Sequence, residues 1–347
     1  MNTFARRLIR WQKAYGRHDL PWQGESAYRI WLSEIMLQQT QVTTVVPYYQ
    51  RFVESFPDIA ALASATEEQV LAHWSGLGYY ARGRNLHKAA RIIADTHAGR
   101  FPRDFEQILT LPGIGRSTAA AISALAWHER RAILDGNVKR VLARYCGIDG
   151  WTGERKVEAR LWEQAEQLLP ASDVAIYTQA LMDMGATVCT RARPRCATCP
   201  VQADCVALAT ERVESLPAPR PRKVMPLREA NFLLVKFGSE IMLEKRPATG
   251  IWGGLWCAPQ VEGDEVSNYL LRNEMQISRR TEMDAFTHVF THFKLHIRPV
   301  LLELASKPLR IEQQGCVWLD LNDALGAAIP SPLRQILLSL QASQRVG

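Results

Sequence analysis

Four of the seven cysteines crowd together in the pattern Cys189-x6-Cys196-x2-Cys199-x5-Cys205. Thiolates this close can wrap one metal centre, and an all-cysteine set of four serves both zinc and iron–sulfur. Zinc ribbons pair two CxxC knuckles across a longer excursion, whereas only one CxxC occurs here. An odd total with a tight cluster points to metal binding in a reducing compartment rather than to a disulfide framework. Cys146, Cys257 and Cys316 fall outside the pattern and read as ordinary semi-buried thiols.

A second feature is the string LPGIGRST, residues 111–118, followed by the small-residue run AAAISALAW. Gly113 and Gly115 let backbone approach a ligand closely, and a following helix would offer free N–H groups to an anion such as a phosphate. Beyond it, Asp135 stands in Ile133-Leu-Asp-Gly-Asn-Val-Lys-Arg140. It can cap the next helix, act as a functional carboxylate, or do both. Glu34, in WLSEIMLQQTQ, is either a solvated helix residue or an acid with a raised pKa in a cleft. The residues alone favour the solvated reading.

These groups need a frame. The chain has 347 residues, enough for two domains with separate cores. Residues 1–210 carry helical periodicity broken at Pro and Gly. The N-terminal stripe Phe4, Leu8, Trp11 and Tyr15 predicts a packed first helix rather than an Arg-rich leader. Residues 28–40 place Leu32, Ile35, Met36 and Gln39 on neighbouring turns, with Glu34, Gln38 and Gln41 on a polar face. Residues 216–228, LPAPRPRKVMPLR, read as a basic, semi-extended linker. Beyond it the pattern turns to strands at Phe232–Val235, Ile241–Leu243 and Phe293–Val300, with helices near 264–275 and 331–341. The expected boundaries are therefore a helical domain over 1–215, the linker, and an α+β domain over 229–347.

Net charge is +7, so an acidic partner is plausible. Basic clusters occur at Arg82, Arg84, Lys88 and Arg91, at Lys139, Arg140 and Arg144, and at Arg191, Arg193 and Arg195, each read by default as a solvated face. No apolar run is long enough to span a membrane.

Taken together, the cysteine spacing, LPGIGRST, the Asp135 stretch and WLSEIMLQQTQ resemble the MutY family of helix-hairpin-helix DNA glycosylases, relatives of endonuclease III. The resemblance runs from Trp11 to about residue 340 and implies a mostly α N-terminal domain with a 4Fe–4S loop, then a Nudix-like α+β domain. It implies removal of adenine mispaired with 8-oxoguanine or guanine in double-stranded DNA, by a monomeric enzyme in the bacterial cytoplasm at the nucleoid. Glu34 would be the general acid and Asp135 the stabiliser of an oxocarbenium-like sugar. Cys189, Cys196, Cys199 and Cys205 would hold the cluster. Leu20, Trp22 and Gln179 would line the adenine pocket, Gln39 would fill the opened helix, and Tyr79 would stack beside the damaged guanine. Gln38, Gly113, Gly115, Ser117 and Asn137 are further DNA or base contacts, and Thr291 and His292 belong to the loop that checks for 8-oxoguanine.

Departures refine this. Strand-cleaving relatives carry Lys where Ser117 stands, and Ser cannot form a Schiff base, so base removal without efficient strand cleavage is expected. The more familiar checking loop has Ser at Thr291. A working Nudix site needs a dense carboxylate helix, and Asp264-Glu-Val-Ser-Asn-Tyr-Leu after Gly263 does not supply one. An endonuclease III-type lyase for oxidised pyrimidines shares the cluster, hairpin and Asp135, but not Glu34 or the second domain. A cluster-based transcription regulator would not need the Glu34 stretch, and a nucleotide pyrophosphatase would explain only the second domain.

Overall fold

The computed structural model describes residues 2–221, 224–263, 265–308 and 315–344, with the side chains of 343 and 344 left aside. Asp264, and Arg222 and Lys223 of the expected linker, lie outside the described residues. Two compact units emerge: Met1–Ser64 with Asn85–Arg222, and Ala65–Arg84 with Lys223–Gly347. The segment Ala65–Arg84, which falls inside the expected 1–215 domain, groups with the C-terminal residues instead.

The first unit is helical. The helix Thr3–Tyr15 starts where Asn2 accepts the Ala5 N–H, and it buries Phe4 and Leu8 of the expected stripe together with Ile9, whereas Trp11 is partly buried and Tyr15, the last helical residue, is exposed. The helix Ala27–Leu37 buries residues on nearly every side, including Ile30, Trp31, Leu32, Ile35 and Met36, so it runs through the core. It ends earlier than its periodicity suggests. Gln38 is its C-cap, Gln39 is left-handed at φ 58°, and Gln41 caps the next helix, Val42–Ser55, so the expected face shared by Glu34, Gln38 and Gln41 does not form.

The helix Arg116–Trp127 packs against Ala27–Leu37 and Val174–Thr187. Its run Ala119, Ala120, Ala121, Ser123 and Ala124 is fully buried, and small side chains let neighbouring backbones come close. Gly185 does the same between Val174–Thr187 and Gly136–Tyr145: a Cβ there would lie 2.7 Å from the Asn137 Cβ.

The second unit holds one mixed sheet. Its strands are β1 (Leu227–Phe237), β2 (Glu240–Lys245), β3 (Trp256–Cys257), β4 (Gln260–Val261), β5 (Ile277–Glu282), β6 (Phe286–Val289), β7 (Lys294–Leu304) and β8 (Cys316–Asp320). The order is β3-β2-β1-β7-β5, with β4 on β1, β6 on β7 and β8 on β2. Among the described residues of this sheet only β1 and β7 run parallel, from Leu227 opposite Lys294 to Lys236 opposite Glu303. β1 thus begins inside the expected linker. Leu233, Val235, Met242, Val300 and Leu302 form the core of this unit, packed with the helix Val266–Arg272, whose seven residues carry no carboxylate. Among the described residues no helix is long and apolar enough to cross a membrane.

Gly185→Ala is expected to destabilise the first unit by about 1–3 kcal/mol, the ordinary penalty of overpacking a filled core. A denaturation midpoint unchanged from the parent would mean that this helix contact yields without strain.

Candidate active site

Glu34 is carried by the buried helix Ala27–Leu37 and is itself half-buried. Burial, and after it the neighbouring Asp135 charge, together push its carboxyl up to about 8. Asp135 caps the helix Gly136–Tyr145, accepting the Val138 N–H at 2.7 Å. Burial also raises the Asp135 carboxyl, against the opposing pull of the Val138 and Asn137 N–H groups and the Arg140 and Lys139 charges. The two acids are electrostatically coupled yet differ in surroundings. Both influences on Glu34 favour its neutral form, whereas Asp135 receives hydrogen bonds and positive charge. Asp135 therefore caps its helix while its carboxyl lies near that of Glu34.

The hairpin lies between the helices Phe105–Thr110 and Arg116–Trp127. Gly113 is left-handed at φ 83°, and an added Cβ would meet the Asn85 Cβ at 3.0 Å. Gly115 is the N-cap of Arg116–Trp127 and leaves its first-turn N–H groups without a side-chain cap. Gln38 reaches this turn, with Nε2 3.4 Å from the Gly113 carbonyl. Ser117 accepts the Leu134 N–H at 2.9 Å, tying the hairpin helix to the residue preceding Asp135. Asn137 accepts from Arg140 Nη2 at 3.0 Å.

Trp22 is buried edge-on against Tyr49 at 5.3 Å, and with Gln179 it lines a cavity of about 480 Å³ that includes Gln12, His18, Ile30 and His128. Leu20, Glu34 and Asp135 are not among the lining residues. Behind the cavity is a group that sequence reasoning missed. Asp183, fully buried, accepts from Gln179 Nε2 at 2.8 Å, Gln12 Nε2 at 2.9 Å, the Arg17 N–H at 2.8 Å and the Arg17 guanidinium at 2.6 Å. A carboxylate only accepts, so it fixes the Gln179 amide with nitrogen inward and the carbonyl oxygen free to meet a donor. Arg17 anchors one end of the 17–23 turn that bears Leu20 and Trp22. The available signal was a lone acid four residues after Gln179 in the apolar helix VAIYTQALMDMGAT.

The four clustered cysteines line one apolar cavity with Val141, Met184, Val188 and Leu208. All four are free thiols, and among the described residues no group of three or more His, Cys, Asp or Glu side chains is drawn together tightly enough to hold a metal ion. Arg144 is buried rather than solvated. Its guanidinium donates to Cys189 Sγ at 3.4 Å and to the Thr190, Arg191 and Leu216 carbonyls. Arg191, Arg193 and Arg195 remain exposed on the same loop.

In the second unit, Phe290–Phe293 turns β6 into β7, with the Phe290 N–H on the Phe293 carbonyl at 2.9 Å and the two rings stacked at 4.5 Å. Thr291 and His292 are exposed at its tip. Tyr79 is also exposed, while Arg82, expected to be solvated, is buried with its guanidinium over the Tyr79 ring.

A family model described as HhH-GPD superfamily base excision DNA repair protein matches residues 32–167, and a NUDIX domain model matches residues 230–339. The adenine DNA glycosylase of Buchnera aphidicola is 37% identical over 337 residues, covering 96% of each chain. This chain belongs to the adenine DNA glycosylase family. The human adenine DNA glycosylase is 31% identical over 410 aligned residues, which cover 99% of this chain and 75% of the human one. Among solved structures, a thermostable thymine-DNA glycosylase aligns with a TM-score of 0.54 at 28% identity, over 60% of this chain and 95% of its own. Endonuclease III from a DNA complex aligns at 0.51 and 19% identity, over 60% and 94%, and shares the fold of the helical unit. The chain is thus a DNA glycosylase with a helix-hairpin-helix unit and a Nudix-like C-terminal domain.

Folding moves the Glu34 pKa up from 4.5 to about 8. The stability it contributes is therefore fully present below the unfolded value and is lost as pH rises toward 8. Glu34→Gln has no such loss, so the melting temperature of the variant minus that of the parent should grow between about pH 5 and about pH 8. A difference that does not change with pH contradicts the burial of this carboxyl.

Proposed function

We propose that this glycosylase removes adenine mispaired with 8-oxoguanine or guanine by hydrolysing its N-glycosidic bond, without cleaving the strand. The observation that carries this reading is a carboxyl at Glu34 raised to about 8 beside a second carboxyl held by helix N–H groups. Two acids in different surroundings, only one of which receives helix N–H groups and positive charge, can divide acid and stabiliser roles between them. Adenine leaves poorly as an anion. Glu34, still protonated at neutral pH, gives its proton to the base, most simply at N7, as the bond to C1′ breaks and the electron pair departs with adenine. The sugar is left oxocarbenium-like, and the Asp135 carboxylate stabilises that charge. Water then adds at C1′ and returns a proton to Glu34.

The base must first leave the duplex. The Gly113–Gly115 turn and the uncapped N-terminus behind it suit a backbone phosphate. Trp22 offers an apolar wall, and Gln179, with Asp183 holding its nitrogen, offers a carbonyl oxygen to the exocyclic amine of adenine. Leu20 closes the same loop, and Gln39 occupies the space left in the helix. Asn137 lies in the first turn after Asp135, where it can approach the strand. In the other unit, Thr291 and His292 contact the lesion and Tyr79 stacks beside it. Ser117, with a hydroxyl in place of an amine, supports base removal alone.

Cys189, Cys196, Cys199 and Cys205 are four thiols on one apolar cavity; their number and thiolate chemistry, rather than their present spacing, suit the 4Fe–4S cluster of this family. When bound, the cluster would rigidify the loop that displays Arg191, Arg193 and Arg195 to phosphates.

The deciding assay is single-turnover base release from a duplex with A opposite 8-oxoguanine, read with and without alkali. Glu34→Gln and Asp135→Asn should each slow release by orders of magnitude while duplex binding survives, and strand breaks should appear only after alkali. Near-parental rates in either variant would remove that residue from the mechanism. Separately, protein purified without oxygen should hold about four iron atoms per chain. Stoichiometric zinc without iron would overturn the cluster.

A further inference from the structure

The Ala65–Arg84 segment sits within helical sequence yet belongs to the C-terminal unit, and its side chains make the attachment specific. Glu68 accepts from Lys245 Nζ at 3.2 Å and from the Trp256 indole. Arg84 Nη1 donates to the Gly253 carbonyl at 2.6 Å. Between these, two buried hydroxyls converge on one backbone oxygen. Ser75 Oγ donates to the Ile329 carbonyl at 3.0 Å, and the Tyr80 hydroxyl donates to the same carbonyl at 3.1 Å. Arg334 Nη2 donates to Ser75 Oγ at 2.9 Å, and the Gly76 N–H donates to the Tyr80 hydroxyl at 3.3 Å.

What lies between Ser75 and Tyr80 is conformationally demanding. Gly76, Gly78 and Tyr79 all have positive φ, at 96°, 78° and 50°. Glycine tolerates this, but a non-glycine residue there is strained and persists only when its surroundings over-determine it. The Gly78 carbonyl is held by Trp74 Nε1 and Arg82 Nη2, both at 3.1 Å. The result is two adjacent tyrosines with opposite fates: Tyr80 is 7% exposed and Tyr79 46%.

We infer that the C-terminal unit sets the conformation of Tyr79, with the Ile329 carbonyl as the anchor. Ser75, Tyr80 and Arg334 are positioning residues that clasp both ends of the Gly76–Tyr79 turn and so present the Tyr79 ring for stacking on a base. The inference rests on the stacking role proposed above for Tyr79. One body then bears both lesion-strand readers, Tyr79 and the Thr291–His292 tip, although most of the helical unit separates them in sequence. Removing the residues after 215 would take away the checking loop and also the anchor of Tyr79, so truncation cannot tell the two apart.

The test uses the full-length chain with Ser75→Ala and Tyr80→Phe, singly and together, each alone and combined with Tyr79→Leu. The readout is the ratio of product affinities for duplexes carrying 8-oxoguanine and guanine. With each neutral hydrogen bond contributing modestly, the double variant should lower that ratio about threefold to tenfold. Amide exchange at Gly76–Tyr79 in the DNA-free protein should quicken. Adding Tyr79→Leu should then cost much less than it costs in the parent, because the ring has already lost its placement. An equal cost of Tyr79→Leu in both backgrounds overturns the anchor while leaving the stacking role intact. No cost of Tyr79→Leu in the parent overturns the stacking role, and the anchor with it. Tyr80→Phe keeps ring volume in its buried site, so the single variant reads the hydroxyl even if Ser75→Ala folds poorly.

Discussion

A carboxyl group drawn out of water holds its proton more tightly, and the helical unit is arranged so that one such group, Glu34, lies near a second carboxyl, Asp135. The helix Ala27–Leu37 is apolar on nearly every side and must run through the core, which carries Glu34 into low dielectric. Asp135 is then placed by a different rule, the need of a helix start for an acceptor. Ser117 ties the two arrangements together through the Leu134 N–H, and the small-residue helix that bears Ser117 packs directly on Ala27–Leu37. Apolar burial and helix capping, both ordinary folding requirements, thus give two nearby carboxyls different surroundings.

Asp183 plays a comparable part for the cavity. One buried carboxylate fixes Arg17, Gln12 and Gln179 at once, so the 17–23 turn and the orientation of a pocket amide share a single fixed point. In the second unit the Ile329 carbonyl has the corresponding position, gathering Ser75 and Tyr80 around one acceptor. Each centre joins residues far apart in the chain.

Much of this was legible in the sequence where the signal is local. The cysteine spacing, the paired glycines of the hairpin and the Asp-Gly-Asn start of a helix are short patterns, and the change from helical to strand periodicity marks the second domain. Glu34 was less legible, since its neighbours alone suggested a solvated residue. Burial of a whole helix depends on partners elsewhere. Asp183 and the attachment of Ala65–Arg84 escaped for the same reason, because their partners lie about 170 and 250 residues away. The early end of the Glu34 helix escaped differently. The left-handed turn at Gln39 overrides a periodicity that would otherwise continue to Gln41.

The most direct test of the account is the protonation state of Glu34 in the protein alone. An infrared difference spectrum between parent and Glu34→Gln, recorded across pH, isolates its carboxyl. The account predicts a neutral carboxylic acid band at pH 7 that disappears with a midpoint near 8. A carboxylate signature already present at pH 6 would contradict it, since a carboxyl ionised there has no proton to give to a departing base.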